Sequence, residues 1–136
     1  IIEHWELLRK LQDKSGGFRA FIMWSFQGAN TKLLAEIPDI KPQSSNRYLR
    51  LLAVSRLYLD NFRNMQSSWV TQGSYIGQMA LKFGANDLGS TMMEENVVKA
   101  AGASNRMNQD EMIRLIRDVG ENPAKRNTAY EILERF

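Results

Sequence analysis

"FGANDLGSTMMEENVVKAAGA", residues 83–103, decides how the chain is read. Gly84 ends an apolar helical pattern, "ANDLG" is extended or a turn, and Thr91 opens a new helical pattern. Thr91 and Glu94 have the spacing of a capping box, in which each side chain meets the other residue's backbone N–H. The stretch is thus a helix end, a strand and a helix start. Asn86 and Asp87 sit where the strand delivers its last residues. They serve the turn or they meet a ligand.

The same unit recurs upstream. Ile1, His4, Trp5, Leu8 and Leu11, widened by Leu7, form a helical stripe that stops at Gly16 and Gly17. His4 on this stripe reads as a partly buried structural residue. Residues 18–24, "FRAFIMW", read as a buried strand. A long polar connection follows. Ser45 or Asn46 caps the next helix, in which Tyr48, Leu51, Leu52, Ser55, Tyr58 and Leu59 share a face. Residues 64–70, "NMQSSWV", form a second strand, and Thr71 or Ser74 begins the helix after it. Beyond residue 103, Asn108 caps a helix that turns Met112, Leu115, Ile116 and Val119 inward and stops at Gly120. "ENPAKRNT" is extended, and "AYEILERF" reads as a last short helix.

The order is helix, three strand–helix units, then a helical tail. Such alternation predicts an α/β protein with parallel strands and helical crossovers. It fits an open layer or an arc of a (β/α) barrel, because a whole barrel takes roughly 250 residues and this chain has 136.

Composition narrows the functions. The chain is 43% hydrophobic and 24% charged, which is ordinary for a globular domain. Its net charge of +3 comes from dispersed cations, so nothing marks a nucleic-acid partner. No apolar run approaches the ~20 residues that span a bilayer, so no membrane partner is expected. With no cysteine and one histidine, the chain offers no thiolate ligands and no metal-ligand cluster. A cytoplasmic location is expected.

Ligands of parallel α/β proteins gather beyond the carboxyl ends of the strands. Those ends supply Trp24 and Gln27, then Trp69 and Gln72, then Asn86, Asp87, Ser90 and Thr91. This polar, aromatic rim suits an uncharged, hydroxyl-bearing or aromatic ligand better than a polyphosphate. Trp24 and Trp69 read more as packing residues than as stacking platforms. Residue chemistry alone reaches no nucleophile–base pair and no phosphate loop.

The opening stretch resembles the last barrel strand and following helix of a group of radical S-adenosylmethionine enzymes. That group makes menaquinone through futalosine, or makes the deazaflavin cofactor. "LRKLQDKSGGFRAFIMWSFQGANTKL" and "YLRLLAVSRLYLDNFRNMQSSWVTQGSYIGQMALKFGANDLGSTMMEENVV" are most similar to the enzymes that cyclise dehypoxanthinyl futalosine, and "MNQDEMIRLIRDVGENPAKRNTAYEIL" is similar to their C-terminal segment. Aminofutalosine synthase and the deazaflavin synthases are the alternatives, as is a non-catalytic α/β binding module.

The resemblance implies a partial (β/α) TIM-type barrel: its last three strand–helix units, with residues 104–136 as a C-terminal extension. It implies a full enzyme with a [4Fe-4S] cluster and S-adenosylmethionine, a 5′-deoxyadenosyl radical, and a small nucleoside-like substrate. The family's Cys-x-x-x-Cys-x-x-Cys ligands are not in this chain, which is expected to be an inert piece of a longer protein. The uncovered strand edges of half a barrel predict pairing with a second copy or burial inside a larger ordered chain.

Overall fold

The computed structural model describes residues 1–28, 31–37, 39–40, 43–91 and 105–136. Helix α1, Ile2–Ser15, ends at Gly16, whose left-handed φ of 57° supplies the C-cap. Only Trp5 of its stripe is buried, with Leu8 packed beside it; Leu7 and Leu11 are exposed. His4 is exposed too, so the expectation of a partly buried histidine is corrected. The stripe holds more apolar residues than the neighbouring surface covers. Gln12 then clasps the next turn: its Oε1 accepts from the Phe18 N–H at 2.9 Å, and its Nε2 donates to the Phe18 carbonyl at 3.0 Å.

Strand β1, Ala20–Ile22, pairs in parallel with β2, Asn64–Gln66. Between them lie a short helix α2, Lys32–Glu36, which the polar composition did not suggest, and the long helix α3, Ser45–Tyr58. Ser44 caps α3 by accepting from the Arg47 N–H, one residue ahead of the expected caps. The third parallel segment is a single bridge, Gln66 to Asp87. The sheet buries Met65, and packs the partly buried Phe21, against Trp5, Leu59 and Phe62. On α3, Tyr48 and Leu52 close over Ala80 and Ala85.

Both expected strands are shorter than predicted. Residues 69 and 70 do not extend β2; they open helix α4, Trp69–Gln72. The ladder stops because the Ser68 N–H donates to the Tyr48 hydroxyl at 2.9 Å. The Ser68 hydroxyl meets that of Thr71 at 2.6 Å and turns the chain. Helix α5, Ser74–Ala80, and a 3-10 turn, Leu81–Phe83, follow.

Helix α6, Gln109–Asp118, is capped by Asn108 as expected. It carries Met112 and Leu115 onto Trp69, Val70 and Leu88, with Met107. The C-terminal residues are not a helix, which corrects the helical tail. They form an antiparallel hairpin of β3, Ala124–Arg126, and β4, Ile132–Arg135. Asn127 dictates this. Its Oδ1 accepts from the backbone N–H groups of Ala129 at 2.9 Å and Glu131 at 3.0 Å, and its Nδ2 donates to Glu131 Oε2 at 2.7 Å. A turn satisfied this fully competes with the first turn of a helix. The Lys125–Glu134 register adds an opposite-charge cross-strand pair.

The described residues are mixed α/β with parallel pairing. Among them no helix is long and apolar enough to cross a membrane.

Gly77 tests the packing. A Cβ there would lie 2.4 Å from Trp69 Cβ, with Trp69 Cα at 3.2 Å. Alanine ordinarily improves a helix interior by about 1 kcal/mol over glycine. Here overpacking costs about 1–3 kcal/mol, so Gly77→Ala should lower the thermal midpoint. An unchanged or raised midpoint would refute the tight α4–α5 contact.

Candidate functional site

Register places the residues. Ile22 pairs with Gln66, and Gln66 bridges Asp87. Partners in a parallel ladder point to the same side, so these three form one row, with Trp24 two residues beyond Ile22. The helices cover the opposite face, through Phe21 and Met65. The row's face is open: Ile22 and Trp24 are exposed, Trp24 by 62%.

At the carboxyl end, three expected or neighbouring residues converge. Gln72 Nε2 donates to the buried Ser25 hydroxyl at 2.7 Å, and Gln27 Nε2 donates to the Ser25 carbonyl at 3.2 Å. The structure thus unites Gln27 and Gln72 around Ser25. Trp24 stands beside them with its ring in solvent. Ser90 and Thr91 continue the third segment and are exposed. The Thr91–Glu94 capping box lies outside the described residues.

Trp69 and Asn86 lie apart from this group. Trp69 is buried among Val70, Leu88 and the methionines, behind the wall. Its indole nitrogen has no partner among the described residues. Asn86 is engaged by the framework. Its Oδ1 accepts from the Met65 N–H at 2.8 Å and from Arg56 Nη2 at 3.0 Å, and its Nδ2 donates to the Arg63 carbonyl at 3.2 Å.

Asp87 is the most elaborately held. Its Oδ1 accepts from the Gly89 N–H at 2.8 Å. Its Oδ2 accepts from Arg126 Nε at 3.1 Å and Nη2 at 2.5 Å. The guanidinium lies 4.0 Å from the centroid of the Tyr130 ring. A cleft of about 640 Å³, on the side of the strands' amino ends, reaches Asp87 and is lined by Phe18, Asn64, Asn86, Arg126 and Tyr130 among others. Asp87 therefore belongs both to the open row and to the cleft.

Gln66, Arg126 and Tyr130 were not anticipated from sequence. Gln66 was legible: Asn64 and Gln66 alternate with Met65, the period-2 mark of a strand with one polar face. A Cβ on Gly89 would come within 2.4 Å of Gln66 Nε2, so glycine there lets this amide lie across the chain. Arg126 and Tyr130 carried no local signal, because a hairpin far along the chain brings them in.

Burial pushes the Tyr48 hydroxyl up, against its bonds to Ser68 and Ser67. Tyr130 is pushed up to about 12, first by burial, then by the Asp87 charge and a hydrogen bond to Asp87. No group of three His, Cys, Asp or Glu among the described residues could hold a metal ion.

These features define a parallel α/β protein with a polar and aromatic wall on one sheet face. The family follows from comparison. A profile described as the CofH/MqnC C-terminal region matches residues 15–136, and the chain belongs to that family. It is 46% identical over 133 residues to a cyclic dehypoxanthine futalosine synthase of Halalkalibacterium halodurans, covering 98% of this chain and 35% of that protein. It is 47% identical over 132 residues to the Streptomyces coelicolor protein of the same name, covering 97% and 32%. A 5-amino-6-(D-ribitylamino)uracil–L-tyrosine 4-hydroxyphenyl transferase of Methanococcus maripaludis is 41% identical over 138 residues, covering 98% and 38%. The chain thus spans about a third of the length of these curated relatives.

Tyr130 gives a direct check. A phenol whose folded pKa is raised adds stability that is complete below about pH 10. That stability is lost as pH climbs through about 12. Phenolate absorbance should show a component titrating near pH 12 that Tyr130→Phe removes. A wild-type curve identical to that of the variant would contradict the buried Tyr130–Asp87 contact.

Proposed function

We propose that this chain is the C-terminal arc of a radical S-adenosylmethionine (β/α) barrel enzyme that converts dehypoxanthinyl futalosine to its cyclic form in menaquinone biosynthesis. The observation that carries the reading is 46–47% identity along 97–98% of the chain to two cyclic dehypoxanthine futalosine synthases. The 4-hydroxyphenyl transferases stand lower, at 38–41%. The parallel register of β1, β2 and Asp87 is what an arc of such a barrel requires.

The chain's own residues do not fit the iron–sulfur cluster. There is no cysteine, and the one histidine, His4, is an exposed residue of α1. Cluster and S-adenosylmethionine chemistry is therefore assigned to the rest of the enzyme, and no step is routed through residues here. This chain binds, orients and shields the substrate. Trp24 offers a ring face for a planar group. The amides of Gln27, Gln66 and Gln72 offer donors and acceptors to a nucleoside, and Asp87 accepts from a hydroxyl. Ser90 and Thr91 extend the same wall. Trp69 and Asn86 hold that wall from behind. A small molecule that fills the open face also excludes water from a radical intermediate.

The test uses the full-length, cluster-loaded enzyme. Dehypoxanthinyl futalosine should disappear and its cyclic product accumulate. Turnover of 5-amino-6-(D-ribitylamino)uracil with tyrosine instead would move the chain to the other branch and overturn the reading. Trp24→Ala should raise KM about tenfold, on the ~1–3 kcal/mol typical of a stacked base, with little change in thermal midpoint because the ring is exposed. An unchanged KM would remove Trp24 from the substrate wall.

A further inference from the structure

The hairpin's hold on Asp87 is more than a docking contact. Asp87 lies by register in the row of Ile22 and Gln66, nearly covered itself and next to the open part of that face at Ile22 and Trp24. Arg126 reaches it from β3, across 39 residues of sequence, and places two donors on the single oxygen Oδ2. The Gly89 N–H takes one site on Oδ1. A carboxylate held by Arg126, by the Gly89 N–H and by the Tyr130 hydroxyl is fixed in rotation.

The cost of this arrangement is visible in the turn. Tyr130 is the one non-glycine among the described residues with a positive φ, 65°. Glycine or asparagine takes that conformation with less strain. Tyrosine there keeps its ring against the guanidinium. The Arg126 and Asp87 side chains are only 21% and 11% exposed. Ion pairs at such depth contribute little net stability over apolar packing, so hairpin docking alone does not account for the pair.

We infer that Arg126, backed by Tyr130, is a positioning residue that sets Asp87 as the hydroxyl acceptor of the substrate wall, so that the C-terminal hairpin completes the ligand site. The inference rests on the nucleoside reading above. Arg126 acts through Asp87 and does not itself touch substrate.

Kinetics of the full-length, cluster-loaded enzyme separate this from a structural role. Arg126→Ala and Asp87→Asn should each raise KM about tenfold with kcat changed less than about threefold, the mark of lost binding and not lost chemistry. Their double variant should be little worse than either alone, because both remove one unit. Arg126→Lys, which keeps the charge and loses the fork, should fall between. Lys82→Met removes the Lys82–Glu121 ion pair that ties the same C-terminal unit to the body, and should leave KM unchanged. The inference is overturned if Arg126→Lys and Arg126→Ala both leave KM within about twofold of wild type, or if Lys82→Met raises it equally. If the wild type rejects dehypoxanthinyl futalosine and accepts another nucleoside, the functional reading falls. The same comparison on the accepted substrate then decides Arg126.

Discussion

The guanidinium of Arg56 and the amide of Asn86 meet where three segments have to be joined. Arg56 Nε donates to the Gly84 carbonyl at 2.7 Å, Nη1 to the Phe62 carbonyl at 3.1 Å, and Nη2 to Asn86 Oδ1 at 3.0 Å. That oxygen also takes the Met65 N–H. The third parallel segment joins β2 through one bridge, with the Asn86 N–H donating to the Met65 carbonyl at 3.0 Å and the Ser67 N–H to the Asp87 carbonyl at 2.8 Å, and side chains reinforce this short pairing. Gly84 is required for it: its φ is 106°, and a Cβ would sit 2.7 Å from Arg56 Cβ. With this node in place, Asp87 is delivered beside Gln66 and the row on the open face exists.

Beside the cluster of Tyr48, Leu52, Ala80 and Ala85, two further cores divide the labour. Phe21, Met65, Trp5 and Phe62 build one side of the sheet, as ordinary helix-on-sheet packing demands. Trp69 turns away from the strand and gathers Met107, Met112 and Leu115, which seats the C-terminal helix. The hairpin beyond it has a β4 with no buried residue, so its position is set by polar contacts. Asn127 shapes its turn, and Arg126 anchors it to the sheet through Asp87. Neither core covers the row of Ile22, Gln66 and Asp87.

The parallel α/β order was legible because helical stripes and short apolar runs alternate, and the Asn108 cap and the Gly16 stop were legible as local chemistry. What escaped was set by distant partners. "SSWV" has the composition of a strand, but the Tyr48 hydroxyl, twenty residues upstream, takes the next ladder donor. "AYEILERF" has helix formers, but Asn127 outside it closes a turn first. Among the candidate residues, Gln27 and Gln72 stand out in the sequence as polar side chains without a core role, and both hydrogen-bond Ser25. Asn86 drew notice through its polarity, and that polarity serves the framework. Arg126 could not be found, because only the hairpin's return brings it to Asp87.

The most direct measurement is a crystal structure of the full-length enzyme with dehypoxanthinyl futalosine bound. The ligand is expected on the sheet face of Ile22, Gln66 and Asp87, with a ring against Trp24 and a hydroxyl within hydrogen-bond distance of Asp87. A ligand seated elsewhere, with this face packed against protein and Asp87 touching only Arg126, Tyr130 and Gly89, would contradict it.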